Sequence, residues 1–188
     1  MGTRVRLEKV RLAFIDALFV AKEFKAGDGK FRYSATPLVE PGSKNDKALH
    51  AAIKEEAVKV FGAKADAKIK EFSVTSQKFC YTSGDGAEYD GFEGMMVLRA
   101  HRRAADGAPK IRDKDGTTDL TAADGRPYGG CYGNVWVDIY AMKEGNPGVF
   151  CSLVAVQFHS DGDAFSGNRI SDDEFKPIED GADTEDLL

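Results

Sequence analysis

Gly133-Asn134-Val135-Trp136-Val137-Asp138-Ile139-Tyr140-Ala141-Met142 is the stretch whose reading decides the fold. In an extended backbone Val135, Val137, Ile139 and Ala141 share one face and Asn134, Trp136, Asp138 and Tyr140 the other, because successive strand side chains point to opposite sides. A helical period would scatter both sets. After Lys143-Glu144-Gly145-Asn146-Pro147-Gly148 comes a second β-rich run, Val149 to Phe158, so the pair predicts a hairpin. The aliphatic face supplies what a core needs. Large aromatic rings are left on the opposite face, where packing does not require them.

Toward the N-terminus the same period recurs. Val5 to Ile15 predicts a strand with Arg6, Glu8, Lys9 and Arg11 interleaved among apolar residues, and a bulge where the alternation slips at Lys9 and Val10. Ala26-Gly27-Asp28-Gly29 is a hairpin signal, followed by a strand from Lys30 to Thr36 that Pro37 should break. On it Phe31 and Tyr33 share one face, Lys30 and Arg32 the other. One helix is predicted over Ala48 to Phe61, with Leu49, Ile53, Ala57, Val60 and Phe61 on its apolar stripe, Ser43 to Asp46 opening it and Gly62 ending it. Phe72 to Tyr81 and Phe92 to Arg103 are further strand candidates, and the Asp-, Gly- and Pro-rich Ala104 to Gly130 is expected to be a long exposed loop. Repeated short strands, one helix and no βαβ alternation give a mainly β fold, an antiparallel barrel with one packed helix.

A length of 188 residues fits one domain, expected over residues 1–171, with 172–188 as a disordered acidic tail. The formal net charge is −5, yet the tail holds eight acids (Asp172, Asp173, Glu174, Glu179, Asp180, Asp183, Glu185 and Asp186) against Lys176 alone. The body keeps 25 basic and 23 acidic groups, and residues 1–70 carry 15 basic against 9 acidic. No run approaches the roughly 18 to 20 apolar residues of a membrane span, and Met1 to Arg11 has no apolar signal core, so a cytoplasmic protein without a membrane partner is expected. Cys80, Cys131 and Cys151 are odd in number and sit in apolar or aromatic stretches, which predicts buried, reduced thiols.

Flat rings on one strand face together with clustered cations are the ingredients of sequence-tolerant single-strand binding: bases stack on the rings while Lys and Arg follow the phosphates. Tyr132, Trp136 and Tyr140 fall at i, i+4 and i+8 on one face. With Lys30, Arg32, Tyr33, Lys78, Arg99, Arg102, Arg103, Lys110 and Arg112 they form the candidate DNA-binding set. Catalytic signals are weak. His50, His101 and His159 are scattered, there is no Cys-x-x-Cys pair, Asp113-Lys114-Asp115-Gly116 lacks the remaining ligands of a calcium loop, and no phosphate-binding glycine loop occurs. A non-enzymatic protein with no catalytic residue, metal or cofactor is expected. Two rivals stand beside it: a metal-dependent nuclease, and an interaction barrel whose acidic tail binds a basic partner.

The order of several short motifs carries a resemblance. Val10-Arg11-Leu12-Ala13-Phe14, Phe31-Arg32-Tyr33-Ser34-Ala35, Tyr89-Asp90-Gly91-Phe92, Pro109, Gly130-Cys131-Tyr132-Gly133-Asn134, Val156-Gln157-Phe158 and Gly162-Asp163-Ala164-Phe165 run across Val5 to about Gly167. In that order the chain resembles a bacteriophage family of single-stranded DNA-binding proteins, first described as a domain of unknown function. The resemblance implies an OB-type barrel with an acidic C-terminus, acting without a cofactor in replication, recombination or repair of phage DNA inside the host cytoplasm. It makes Tyr33, Tyr132 and the basic residues near Pro109 the favoured contacts. Its implied partners are single-stranded DNA and replication or recombination proteins reached through the tail, with a homodimer left open. The tail departs from many bacterial single-strand binders by closing on Asp186-Leu187-Leu188 instead of an aromatic residue.

Overall fold

The alternating stretch lies between two long partner strands of a mixed sheet. The computed structural model describes residues 2–165, and the expected acidic tail lies outside the described residues. In chain order the elements are β1 (Thr3–Ala13), β2 (Lys22–Glu23), β3 (Phe31–Val39), α1 (Lys44–Phe61), α2 (Ala65–Phe72), β4 (Tyr81–Ser83), β5 (Met96–Leu98), β6 (Ala100–Arg103), β7 (Lys110–Arg112), β8 (Tyr132–Met142) and β9 (Gly148–Ser160). The strands pair in the order β1-β8-β9-β6-β3-β5-β4, and β3 also pairs with β1. β2 lies on β3 and β7 on β9. Most pairings are antiparallel as expected, but β9 runs parallel to both β6 and β7. The chain therefore forms a mainly β structure with one packed helical segment, not an all-antiparallel sheet.

Burial fixes the register. Val135, Val137 and Ile139 are fully buried, opposite Leu7, Val5 and Thr3 on β1 and opposite Val156, Leu153 and Cys151 on β9. Leu49, Ala52 and Ile53 of α1 join the same core. Each fully buried aliphatic side chain contributes roughly 1.5–3 kcal/mol. The expected bulge falls between Leu7 and Val10, where Lys9 adopts φ 48°. Two amides there are satisfied by side chains instead of the ladder: Glu8 N–H donates to Asn45 Oδ1 and Lys9 N–H to Asn134 Oδ1, both at 3.0 Å.

The helix begins as the sequence implies. Ser43 caps it by accepting from the Asp46 amide, and Gly62 ends it with φ 57°. Asp46 is buried and occupied on every side: Tyr81 Oη donates at 2.6 Å, the Gly42 amide at 2.8 Å, and His50 Nε2 lies 3.2 Å away. Burial pushes the Asp46 carboxyl up, but these partners outweigh it and hold the group below the usual carboxylate range. Tyr81 thus pins the start of α1 to the sheet.

Four expectations need correction. Pro37 does not break its strand. It lies between the last β6 partner (Ala35 with Ala100) and the first β5 partner (Leu38 with Val97), where a missing N–H costs little. Phe72 belongs to a helix: after Gly62 one 3-10 turn restarts it, and Ala65, Ile69 and Phe72 form a new stripe at helical spacing, leaving only Tyr81–Ser83 extended. The strand expected over Phe92 to Arg103 is divided at Arg99, whose amide donates to the Cys80 carbonyl, and Phe92 instead joins a small second cluster with Ala13, Leu38 and Val97. Ala104 to Gly130 is not simply exposed: Ile111 and Leu120 are buried, β7 pairs with β9, and Arg126 holds Asp113 at 2.5 Å.

The three cysteines are free and buried as expected, and burial pushes the Cys80 thiol up to about 12. Tyr81→Phe is expected to lower stability by about 1–3 kcal/mol in urea unfolding at neutral pH, because the buried Asp46 carboxylate loses its nearest donor. Because the Asp46 pKa is depressed in the folded state, the difference should shrink as pH falls through it and the carboxyl protonates. Equal midpoints for the two proteins at neutral pH would contradict this role.

Candidate nucleic-acid interface

The outer face of β8 presents Tyr132, Asn134, Trp136, Asp138 and Tyr140, each at least partly exposed, while the residues between them are buried. At a strand rise of about 3.3 Å per residue the three rings span about 26 Å. Cations from β1 cover two of them: the Arg6 guanidinium lies 5.3 Å from the Trp136 ring centre and Lys9 Nζ 5.9 Å from that of Tyr132. Tyr140 sits opposite Phe150 of β9, with ring centres 5.8 Å apart.

Beyond Tyr140 the face deepens into an open groove of about 1010 Å³ whose walls include Arg32, Arg99, His101, Arg103, Phe150 and Ser152. Arg32 of β3 pairs across the ladder with Arg103 of β6, and His101 with Ser34 on one side and Ser152 on the other. Three acids also line the groove, and each is engaged. Asp138 takes a two-pronged bond from Arg4 at 2.6 and 3.0 Å, Asp106 pairs with Arg103 at 2.8 Å, and Glu56 with Lys59 at 2.8 Å. Arg32 and Arg99 form no ion pair among the described residues; Arg99 Nη1 donates only to the Thr82 hydroxyl, at 2.7 Å. The groove's arginines without an ion partner among the described residues are therefore Arg32 and Arg99.

His101 is held neutral. Burial is the largest cause, and Arg32 and Arg99 add to it, bringing the imidazole down from 6.5 to about 4. Its Nδ1 is buried without a hydrogen-bond partner among the described residues. The exposed Phe24 ring lies edge-on to it, with ring centres 5.2 Å apart.

Of the candidate residues, Arg32, Arg99, Arg103 and Tyr140 meet in the groove, and Trp136 and Tyr132 continue its face along β8. Tyr33 and Arg102 stand opposite each other on the other side of β3 and β6. The Arg102 guanidinium is bound to the carbonyls of Asp106, Gly107 and Leu153, which ties down the segment after β6. Arg112 is engaged by Asp119 and the Gly116 carbonyl, while Lys30, Lys78 and Lys110 are exposed outside the groove. Phe150, His101, Arg6 and Lys9 were not in the candidate set. Counting outward through the hairpin pairs Met142 with Gly148 and Tyr140 with Phe150, so Phe150 had a signal; the pairing of β1 with β8, which brings Arg6 to Trp136, had none.

Among the described residues no three His, Cys, Asp or Glu side chains are grouped to hold a metal ion, and no helix is long and apolar enough to cross a membrane.

Comparison with known proteins follows from this geometry. The family described as "Enterobacter phage Enc34, ssDNA-binding protein" matches residues 3–188. The putative protein p50 of Acyrthosiphon pisum secondary endosymbiont phage 1 is 38% identical over 171 residues, covering 89% of each chain. Among solved structures, the single-stranded DNA-binding protein from bacteriophage Enc34 in complex with ssDNA aligns with TM-score 0.64 at 17% identity, over 87% of this chain and 89% of that one. Gp2.5, a single-stranded DNA-binding protein encoded by bacteriophage T7, aligns with TM-score 0.55 at 11% identity, over 96% and 98%. These low identities establish a shared fold.

An NMR titration of the free protein should find His101 with a midpoint near 4. Since the native imidazole refuses a proton that the unfolded chain accepts, this site's contribution to stability is present above about 6.5 and lost as pH falls toward 4. His101→Gln should remove that part of the acid sensitivity. A midpoint at the ordinary histidine value would contradict the burial described.

Proposed function

Because this chain belongs to the Enc34 phage single-stranded DNA-binding protein family, we propose that it binds and protects single-stranded DNA, with little regard to sequence, during replication, recombination or repair of phage DNA. The observation that carries the reading is the continuous outer face of β8 and β9. Rings for stacking lie along it, and it opens onto a groove whose acids are paired while Arg32 and Arg99 form no ion pair among the described residues. Bases stack on aromatic faces whatever their identity, and guanidinium groups replace the counterions of the phosphates. No bond is made or broken, and the protein acts by occupancy.

The strand pairings support an OB-type barrel. The path β1-β8-β9-β6-β3 returns to β1, and the β9–β6 contact is its one parallel junction. In such barrels one sheet face and the adjoining loops take the oligonucleotide. We place the binding domain at residues 1–171 and read 172–188 as an acidic segment that competes with DNA for the groove and is open to replication or recombination proteins. Within the candidate set, Arg32, Arg99, Arg103, Tyr132, Trp136 and Tyr140 are proposed to touch the strand, joined by Phe150 and Arg6. Lys30, Lys78 and Lys110 are assigned to its approaches, while Tyr33 lies on the opposite side of β3.

Salt dependence tests the reading. Replacing Arg32 and Arg99 by alanine should weaken oligo-dT binding about tenfold or more and flatten the slope of log affinity against log salt by about 1.4, the share of two phosphate contacts on a single strand. An unchanged slope would remove these two residues from the phosphate path. In the same assay a chain ending at Ser171 should bind more tightly than the full chain, and equal affinity would rule out competition by the acidic segment.

A further inference from the structure

A second cavity, of about 490 Å³, shares no lining residue with the groove. Its wall is aromatic. Phe14 stands edge-on to Tyr89 at 4.8 Å and to Phe92 at 5.6 Å, Tyr89 and Phe92 are 5.3 Å apart, and Tyr128 and Phe165 complete the lining. Phe14 is 48% and Tyr89 57% exposed, so these rings offer faces and edges to solvent beyond the needs of the small core beneath them. Phe14 does so from a φ of 47°, a left-handed conformation that bulky residues seldom adopt and that turns the chain sharply at the end of β1.

The charged residues that line the cavity are of one sign, although Arg11 lies just behind the Phe165 ring. Asp16, Glu88 and Asp90 are the charged residues of the lining, and no lysine, arginine or histidine is among them. A DNA phosphate would be repelled here. So would the residues that follow Phe165 in the chain, which hold eight acids against Arg169 and Lys176. What fits an electron-rich aromatic wall with a carboxylate rim is a cation with a flat or apolar body. The protein itself shows the preference next door: the Arg11 guanidinium lies 4.2 Å from the centre of the Phe165 ring, with its Nη2 bound to the Asp163 carbonyl at 2.6 Å.

We propose that this cavity is a docking site for an arginine side chain presented by a basic segment of a partner protein. The guanidinium would lie against Phe14 and Tyr89 and donate its N–H groups to the Asp16 and Glu88 carboxylates. Because the site and the groove have separate linings, a copy holding DNA keeps the cavity available to a protein partner.

The test uses the full chain with its aromatic residues isotope-labelled, and N-acetyl-arginine methylamide as the probe. Its citrulline counterpart, of the same shape without the charge, is the control. The arginine probe at millimolar concentration should shift the Phe14 and Tyr89 ring signals saturably. The citrulline probe should leave them in place. Tyr89→Ala, and separately the exposed pair Asp16→Asn with Glu88→Gln, should weaken the effect about tenfold or abolish it, while oligo-dT affinity stays within about twofold of the original. Equal shifts from both probes, or none from either, would overturn the proposal. So would a loss of oligo-dT affinity in Tyr89→Ala, which would assign the cavity to the DNA path.

Discussion

The two-residue period of β8 is the constraint on which the rest of the structure depends. Val135, Val137 and Ile139 must face the core, so Trp136, Asp138 and Tyr140 must face out, and a slip of one residue in the pairing would reverse both sets. The buried partners on β1 and β9 hold that register from both sides. At the one place where β1 departs from it, Asn134 and Asn45 supply the acceptors that the ladder loses. The same arithmetic that builds the core thus lines up a row of rings on the outside. A core and an aromatic outer face are two sides of one strand.

Charge is sorted just as sharply. Acids near the outer face are consumed by cations of the protein itself, Asp138 by Arg4 and Asp106 by Arg103. Arg32 and Arg99 have no such partners among the described residues, and their fields, added to burial, keep His101 uncharged. The groove thus presents two guanidinium groups that lie in no ion pair among the described residues. At surface exposure such pairs are worth only about 0.2–1 kcal/mol each, so their significance lies in which cations they leave available.

The strands with clean alternation were legible from the residues alone: β8, β9, β1 with its bulge, and the start and stop of α1. What was not legible involved a change of partner or of period. Pro37 looks like a breaker until β3 is seen to trade β6 for β5 there, and Gly62 looks like the end of all helix until Ala65, Ile69 and Phe72 resume its stripe. The shared face of Tyr132, Trp136 and Tyr140 followed from strand parity, whereas Tyr33 lies on the opposite side of β3 from Arg32. The basic half was only partly readable, since nothing in sequence separates Arg99, bonded in the groove to the Thr82 hydroxyl, from Arg102, bound to three carbonyls on the other face. Side-chain engagement of that kind is a property of the folded neighbourhood.

The single tryptophan lies on the face in question, so its emission reports on the central claim directly. Trp136 fluorescence would be followed while oligo-dT, and separately a duplex of equal length, is added at low and at moderate salt. Quenching by the single strand alone, weakened as salt rises, is the expected result. Equal response to the duplex, or no response to either strand form in a protein that a mobility assay also finds unbound, would contradict a single-strand stacking face on β8.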